Sequence, residues 1–284
     1  MSKESLIQTG EWPGFERKTI SAPAGPISVR VGGDAGAPAV LFNHSILTGS
    51  AIWHRQAQLL ADEGRRVICL DSRGHGKSAA SPSPYTMDDL VRDNLAVLDE
   101  LGVARVHFIG VSQGGMTGLG LGIGLGVGHA GRLASLMVCA ARADAPAPFA
   151  AAWDDRIALA RDKGVEALAA ITAERWFGAD FIASNPGIAA DIVACIRETS
   201  VEGFVGCARA IQGLDYLGGV ANITTPTALV IGTRDEALLQ PMRDLAKIIP
   251  GAKLSEIEDA GHLPQIDQPD RFNAVLREHF ARVG

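Results

Sequence analysis

Residues 110–115, Gly-Val-Ser-Gln-Gly-Gly, close an apolar run and open a long segment of small residues. Few short stretches restrict a backbone so strongly. The positions two before and two after Ser112 are both glycine, and in a turn tight enough to join a buried strand directly to a helix these positions approach so closely that a Cβ on either would clash. The pattern fits G-x-S-x-G, which presents a serine hydroxyl from a strained strand-to-helix turn. The backbone N–H of Gln113 and the dipole of the following helix then point at the place where negative charge develops in acyl transfer.

The flanking sequence repeats this strand-to-helix unit. After a polar lead-in, residues 27–31 alternate as a strand and 32–36 read as a turn. Residues 39–42 form a short apolar run ending in the polar loop Asn43-His44-Ser45-Ile46-Leu47, with a helix expected over 51–63. Residues 66–70 are the next buried strand and deliver the loop Asp71-Ser72-Arg73-Gly74-His75-Gly76-Lys77-Ser78. Thr86 and Asp89 frame a capping box, and Met87, Leu90, Val91, Leu95, Leu98 and Leu101 keep a helical period. Residues 133–139, 226–231 and 253–257 supply further strands, 238–249 a helix, and a last helix starts near Pro269 with Phe272, Val275, Leu276 and Phe280 on one face. The alternation predicts an α/β fold with a mostly parallel central sheet flanked by helices. Residues 142–216 break it, starting Ala/Pro-rich and continuing as helices without a strand. A helical cap inserted after the sixth strand is expected there, leaving a core of residues 1–141 and 217–284.

From Gly118 to Gly128 every second residue is glycine, where the turn demands a helix. At about 1 kcal/mol each against alanine, six glycines cost about 5 kcal/mol, which only close packing can offset. A closely packed helix, irregular near residues 124–128, is the expectation; the spacing does not fit a phosphate-cradling G-x-G-x-x-G loop. A formal net charge of −6 without a basic cluster argues against nucleic acid or an anionic membrane as partner, and the polar N-terminal stretch points to the cytoplasm. Cys69, Cys139, Cys195 and Cys207 lack metal-ligand spacing and read as buried free thiols. A homo-oligomer is left open.

A serine hydroxyl needs a base, usually a histidine oriented by a carboxylate, and in this architecture the chain order is serine, acid, histidine. Downstream of Ser112 stand His129, His262 and His279. His129 ends the glycine run and His279 lies in the last helix, where solvated positions are expected. His262, in Asp259-Ala260-Gly261-His262-Leu263-Pro264, follows a strand directly and is the candidate base. Asp235, after strand 226–231, is the candidate acid; Glu236 and Asp144 are its competitors. The second donor to an oxyanion is placed at the backbone N–H of Ile46, paired with that of Gln113. His44 is a candidate substrate contact or an orienter of its loop. Trp53, Trp153 and Trp176 are candidate apolar walls, and Arg142 a candidate partner for a substrate carboxylate.

With these residues in place the sequence resembles the α/β-hydrolase superfamily from about Ile27 to Phe280. Three motifs carry the resemblance: 110–115, Asp71 to Ser78, and Gly261-His262-Leu263-Pro264. Within it the chain is most similar to the 3-oxoadipate enol-lactonase group, through Asn43-His44-Ser45 with Thr48 and Trp53, Ser83-Pro84-Tyr85-Thr86, and Ser112-Gln113-Gly114-Gly115-Met116. It departs from that group at His44, where Asn is usual, and in its longer glycine-rich segment. The resemblance implies a serine hydrolase that opens a lactone or carboxylic ester through an acyl-enzyme, without metal or organic cofactor. Carboxylester, C–C bond and perhydrolase chemistry are rivals on the same residues, and a ligand-binding module is the rival of a different class.

Overall fold

The computed structural model describes residues 6–124 and 130–284. Eight strands form one sheet: β1 (Phe15–Ala22), β2 (Gly25–Gly32), β3 (Ala39–Asn43), β4 (Arg66–Leu70), β5 (Val106–Val111), β6 (Leu133–Cys139), β7 (Thr227–Gly232) and β8 (Lys253–Ile257). Their order is β1-β2-β4-β3-β5-β6-β7-β8. β1 and β2 pair antiparallel, as do β2 and β4, and the strands from β4 through β3 to β8 run parallel. Every residue of β3, β5 and β7 is buried, as strands covered on both faces must be.

Helices cover the sheet: α1 (His54–Asp62) after a 3₁₀ turn at Ser50–Trp53, α2 (Met87–Glu100), α3 (Gln113–Gly122), α9 (Glu236–Ile248) and α11 (Pro269–Val283), with the single turn α10 (Pro264–Asp267) before the last. Between β6 and β7 lie α4 (Ala147–Lys163), α5 (Ala169–Phe177), α6 (Ala179–Ser184), α7 (Pro186–Arg197) and α8 (Val201–Gln212), with no strand among them. Among the described residues no helix is long and apolar enough to cross a membrane.

The strand order fixes where a ligand can bind. β3 sits between β4 and β5, so the chain leaves β3 toward one edge and later returns on its other side, and the loops that follow diverge to leave a crevice. The register opposes Asn43 to Gly110, placing the loop after β3 beside the turn that carries Ser112.

Several expectations need adjusting. β1 lies in the polar lead-in, and its sequence, Phe-Glu-Arg-Lys-Thr-Ile-Ser-Ala, buries only Ile20; it is an edge strand, with Glu16 exposed and Arg17 turned back onto Ser28 and Asp71. His279 is not solvated but 3% exposed, because α11 lays it on the sheet, where Ser135 Oγ lies 2.8 Å from its Nε2 and 2.9 Å from His107 Nδ1. Helix α3 ends at Gly122, and Gly124 adopts φ +76°. Residues 125–129, with the rest of the expected irregularity and His129, lie outside the described residues.

Candidate active site

The turn after β5 is built by two glycines. A Cβ on Gly110 would lie 2.2 Å from the carbonyl oxygen of Gly114, and one on Gly114 would lie 2.4 Å from that of Asn43. Ser112 takes φ +57°, ψ −117°, a conformation its side chain disfavours, and is held there by its N–H donating to Cys139 O at 2.8 Å and its carbonyl accepting from Met116 N–H at 2.9 Å. Leu47, Ala140 and Asp259 are the other non-glycine residues with positive φ among those described. Leu47 follows β3, Ala140 follows β6 and Asp259 follows β8, so the strain gathers at one end of the sheet, as it does at functional sites.

Facing Ser112 is the loop after β3. Gly114 N–H donates to His44 O at 3.1 Å and the Trp53 indole N–H to Asn43 O at 3.1 Å, which fixes the loop's carbonyls away from the crevice side of the turn. The backbone N–H groups of Ile46 and Gln113 donate to no other group among the described residues, although both residues are buried. Buried amides without a partner are rare and mark places where an acceptor can be received.

His262 follows β8 and Asp235 follows β7, neighbouring strands, and the two meet: His262 Nδ1 and Asp235 Oδ2 are 2.7 Å apart. Both side chains are about nine-tenths buried. Ser112 Oγ and His262 Nε2 form no hydrogen bond in this structure. Glu236 is the first residue of α9, and Asp144 is taken up by Arg142. The backbone around the histidine is also held: Gly261 N–H donates to Asp267, and His262 N–H donates to Trp176 O at 2.8 Å.

Four of the candidate contacts are corrected by their surroundings. His44 is fully buried, and Ser72 N–H donates to its Nε2 at 2.8 Å; the proton must then sit on Nδ1, which donates to Ser45 O at 2.8 Å. Burial holds its pKa below the usual imidazole value. With both nitrogens engaged it orients the loop and has no donor or acceptor left for a substrate. Trp53 is fully buried between Phe42 and Phe272 and supports the loop from behind, so it lines no cleft. Trp153 packs within the helical segment against Phe149 and Phe204. Arg142 gives its Nε and an η nitrogen to Asp144 Oδ1 at 3.1 and 2.8 Å and stacks over Phe149, so its charge is already matched. Trp176 does reach the site, its ring stacked on the imidazole of His262.

Sequence reasoning passed over Asp267, five residues beyond His262. Its carboxylate is fully buried, and burial, against the opposing Gly261 N–H and Arg234, pushes its pKa up to about 7. An acid directly after the mostly apolar stretch Leu263-Pro264-Gln265-Ile266 was the available signal.

Comparison with known proteins places this geometry. A family model described as the alpha/beta hydrolase fold matches residues 38–269. The chain is 31% identical over 261 residues to 3-oxoadipate enol-lactonase 2 of Acinetobacter baylyi, covering 92% of this chain and 95% of that protein. The enol-lactonase from Burkholderia xenovorans LB400 superposes with a TM-score of 0.87 at 31% identity, over 93% of this chain and all of that one. A thermophilic esterase from Thermogutta terrifontis, solved with malate bound, gives a TM-score of 0.84 at 26% identity, over 94% and 99% of the two chains.

Proposed function

Since the chain belongs to the α/β-hydrolase fold family, we propose that it hydrolyses a lactone or carboxylic ester through an acyl-enzyme, with 3-oxoadipate enol-lactone as the candidate substrate. The hydrogen bond from His262 Nδ1 to Asp235, at the same end of the sheet as the strained Ser112, carries this proposal. Asp235 accepts a hydrogen bond from the Nδ1–H of His262, which keeps the proton on that nitrogen and leaves the Nε2 lone pair for Ser112. Hydrogen bonds of this kind are often long without substrate and tighten when it binds.

Ser112 Oγ attacks the carbonyl carbon as His262 Nε2 takes its proton. The carbonyl oxygen becomes an oxyanion, received by the two free amides of Ile46 and Gln113. Collapse of the tetrahedral adduct breaks the bond to the enol or alcohol oxygen, which leaves with the proton from Nε2. Water, deprotonated by the same nitrogen, then attacks the acyl carbon and frees Ser112. Each step conserves one mobile proton, so no metal or organic cofactor is required. Residues 142–216 form the cap that encloses the acyl group, and four buried free thiols suit a reducing cytoplasm.

The test follows ultraviolet absorbance of 3-oxoadipate enol-lactone with purified protein, beside a simple aryl ester. Rapid lactone loss with slow ester cleavage is expected, and Ser112→Ala should lower kcat by about a millionfold. Ester cleavage with the lactone untouched removes the substrate assignment and leaves a carboxylesterase. Ordinary turnover by Ser112→Ala removes the mechanism.

A further inference from the structure

Helix α5 belongs to the inserted helical segment, yet its last turn touches the histidine loop at two points. The helix stops at Phe177 because Gly178 takes φ +82°, which leaves the carbonyls of its final turn without intrahelical donors. One of them, Trp176 O, accepts the backbone N–H of His262 at 2.8 Å. The approach is so close that a Cβ on Gly261 would lie 2.0 Å from that oxygen, so glycine before the histidine is what lets α5 dock. The Trp176 ring then lies over the imidazole, with centroids 5.7 Å apart and planes inclined by 22°. Its indole N–H is buried and has no acceptor among the described residues, so the ring is not held by a hydrogen bond of its own.

We propose that Trp176 is a positioning residue for His262: through its ring and its carbonyl, docking of helix α5 sets the base in line with Ser112. This rests on the proposed role of His262 and adds where its alignment comes from. Asp235 fixes one ring nitrogen, but a single hydrogen bond leaves the imidazole free to rock about it. The indole closes one face, the backbone clasp fixes the Cα, and Nε2 is left one direction in which to point. The arrangement also favours the protonated intermediate, since an aromatic face attracts the imidazolium formed when Ser112 loses its proton. The other charges about this ring are Asp235 and Arg234 at the end of β7, Asp267 in α10, which accepts from Gly261 N–H, and Arg175 in α5 itself, which is electrostatically coupled to Asp235.

Two Trp176 variants, and a wild-type titration with its His262→Gln control, test this. Trp176→Phe keeps an aromatic face and the backbone carbonyl and loses only an indole N–H that bonds to nothing, whereas Trp176→Leu keeps bulk without the face. The readouts are inactivation by an aryl organophosphonate, which reports Ser112 activation, and kcat and KM for an aryl ester across pH. Trp176→Phe should react within about threefold of wild type, and Trp176→Leu about ten- to a hundredfold more slowly, the scale of a misplaced catalytic group, with KM little changed and the acidic limb of the pH profile displaced to lower pH. Trp176→Leu reacting at the wild-type rate overturns the proposal. So does a Trp176→Phe protein with raised KM and unchanged kcat, which makes the indole N–H a substrate donor instead. Should Trp176→Leu fail to fold, indole fluorescence in the wild type decides: the stack requires quenching as His262 is protonated, absent in His262→Gln, and identical titrations of the two overturn it. Wild-type protein that resists the organophosphonate removes the hydrolase proposal itself, an outcome distinct from any of these.

Discussion

Mild acid should unfold this protein through histidines far from the site. His107 and His279 flank Ser135 beneath α11, 5% and 3% exposed. Burial, and after it nearby Arg65 with Arg105 or Arg282, pushes both imidazoles down to about 4. In an unfolded chain each returns to about 6.5. The unfolded chain therefore accepts protons that the folded one refuses, so the stability is intact above 6.5 and is lost as pH falls from 6.5 toward 4. About 2.5 pH units at about 1.4 kcal/mol each comes to roughly 3 kcal/mol per imidazole. His75, pushed to about 3 mainly by burial, acts with the same sign. Asp267 acts against them: a folded carboxyl near 7 holds a proton that an unfolded aspartate releases down to about 4, so its contribution grows as pH falls through that window. These three histidines against that carboxyl leave a net of about two protons, or roughly 3 kcal/mol per pH unit, and His44, also held low by burial, adds in the same direction; the total stability is about 5 to 15 kcal/mol. Urea midpoints followed by circular dichroism from pH 8 to 5, at fixed ionic strength, should fall steeply below 6.5. His279→Gln keeps an amide for Ser135 but cannot titrate, and should reduce the slope by about one proton. Parallel pH curves for the two proteins would refute the reasoning.

Substitutions at three further places probe other links. Gly118→Ala gains about 1 kcal/mol of helix propensity, but its Cβ would lie 2.8 Å from Phe108, an overpacking cost of about 1 to 3 kcal/mol; the urea midpoint should fall, and a rise shows that α3 can shift. Arg73 grips Asp93 through two bonds of 2.7 and 2.9 Å, both side chains nearly fully buried. Arg73→Ala strands that carboxylate and should cost about 3 to 5 kcal/mol by denaturant titration, whereas Arg73→Met with Asp93→Leu should recover most of it. Asp235→Asn should preserve the melting temperature and lower kcat by about ten-thousandfold by presenting the wrong imidazole tautomer to Ser112; near-normal turnover would point to Glu236 or Asp144.

The central parallel strands were legible because they are short apolar runs between turn signals, and β4 and β6 have the boundaries their sequences suggest; the edge strand β8, Lys-Leu-Ser-Glu-Ile, also has its expected bounds although it buries only Ile257. The edge strand β1 was not, since an antiparallel edge strand needs only one buried side chain to pair, and Ile20 alone makes no pattern. At the site, residues set by backbone position were legible: Ser112 from flanking glycines, and Asp235 and His262 from the ends of consecutive strands. Side-chain partnerships were not. Nothing local says that His44 spends both nitrogens on Ser72 and Ser45, or that Arg142 bonds to Asp144 and lies over Phe149, because each pairing depends on how a loop closes.

The glycines show how a residue without a side chain can carry information about a site. In α3 the Cβ positions of Gly118, Gly120 and Gly122 would meet Phe108, Val91 and Ile223 respectively, within 3.2 Å in each case, so the helix rests on β5, on α2 and on the segment before β7. Propensity alone predicts a weak helix there; contact with three elements makes it a fixed one. That rigidity bears on the site, because Ser112 is the residue at the head of α3, and its positive φ costs of order 1 to 3 kcal/mol that would be released if the helix slid along the sheet. Gly114 against Asn43 O locks the first turn to the loop bearing Ile46, and Gly261 against Trp176 O locks the histidine loop to α5. Each contact is backbone against backbone, where no rotamer change can relieve a misfit. The strained serine, the unpartnered amides of Ile46 and Gln113 and the histidine are thereby referred to one rigid frame, and tolerances finer than side-chain packing allows can be held across parts of the chain 150 residues apart.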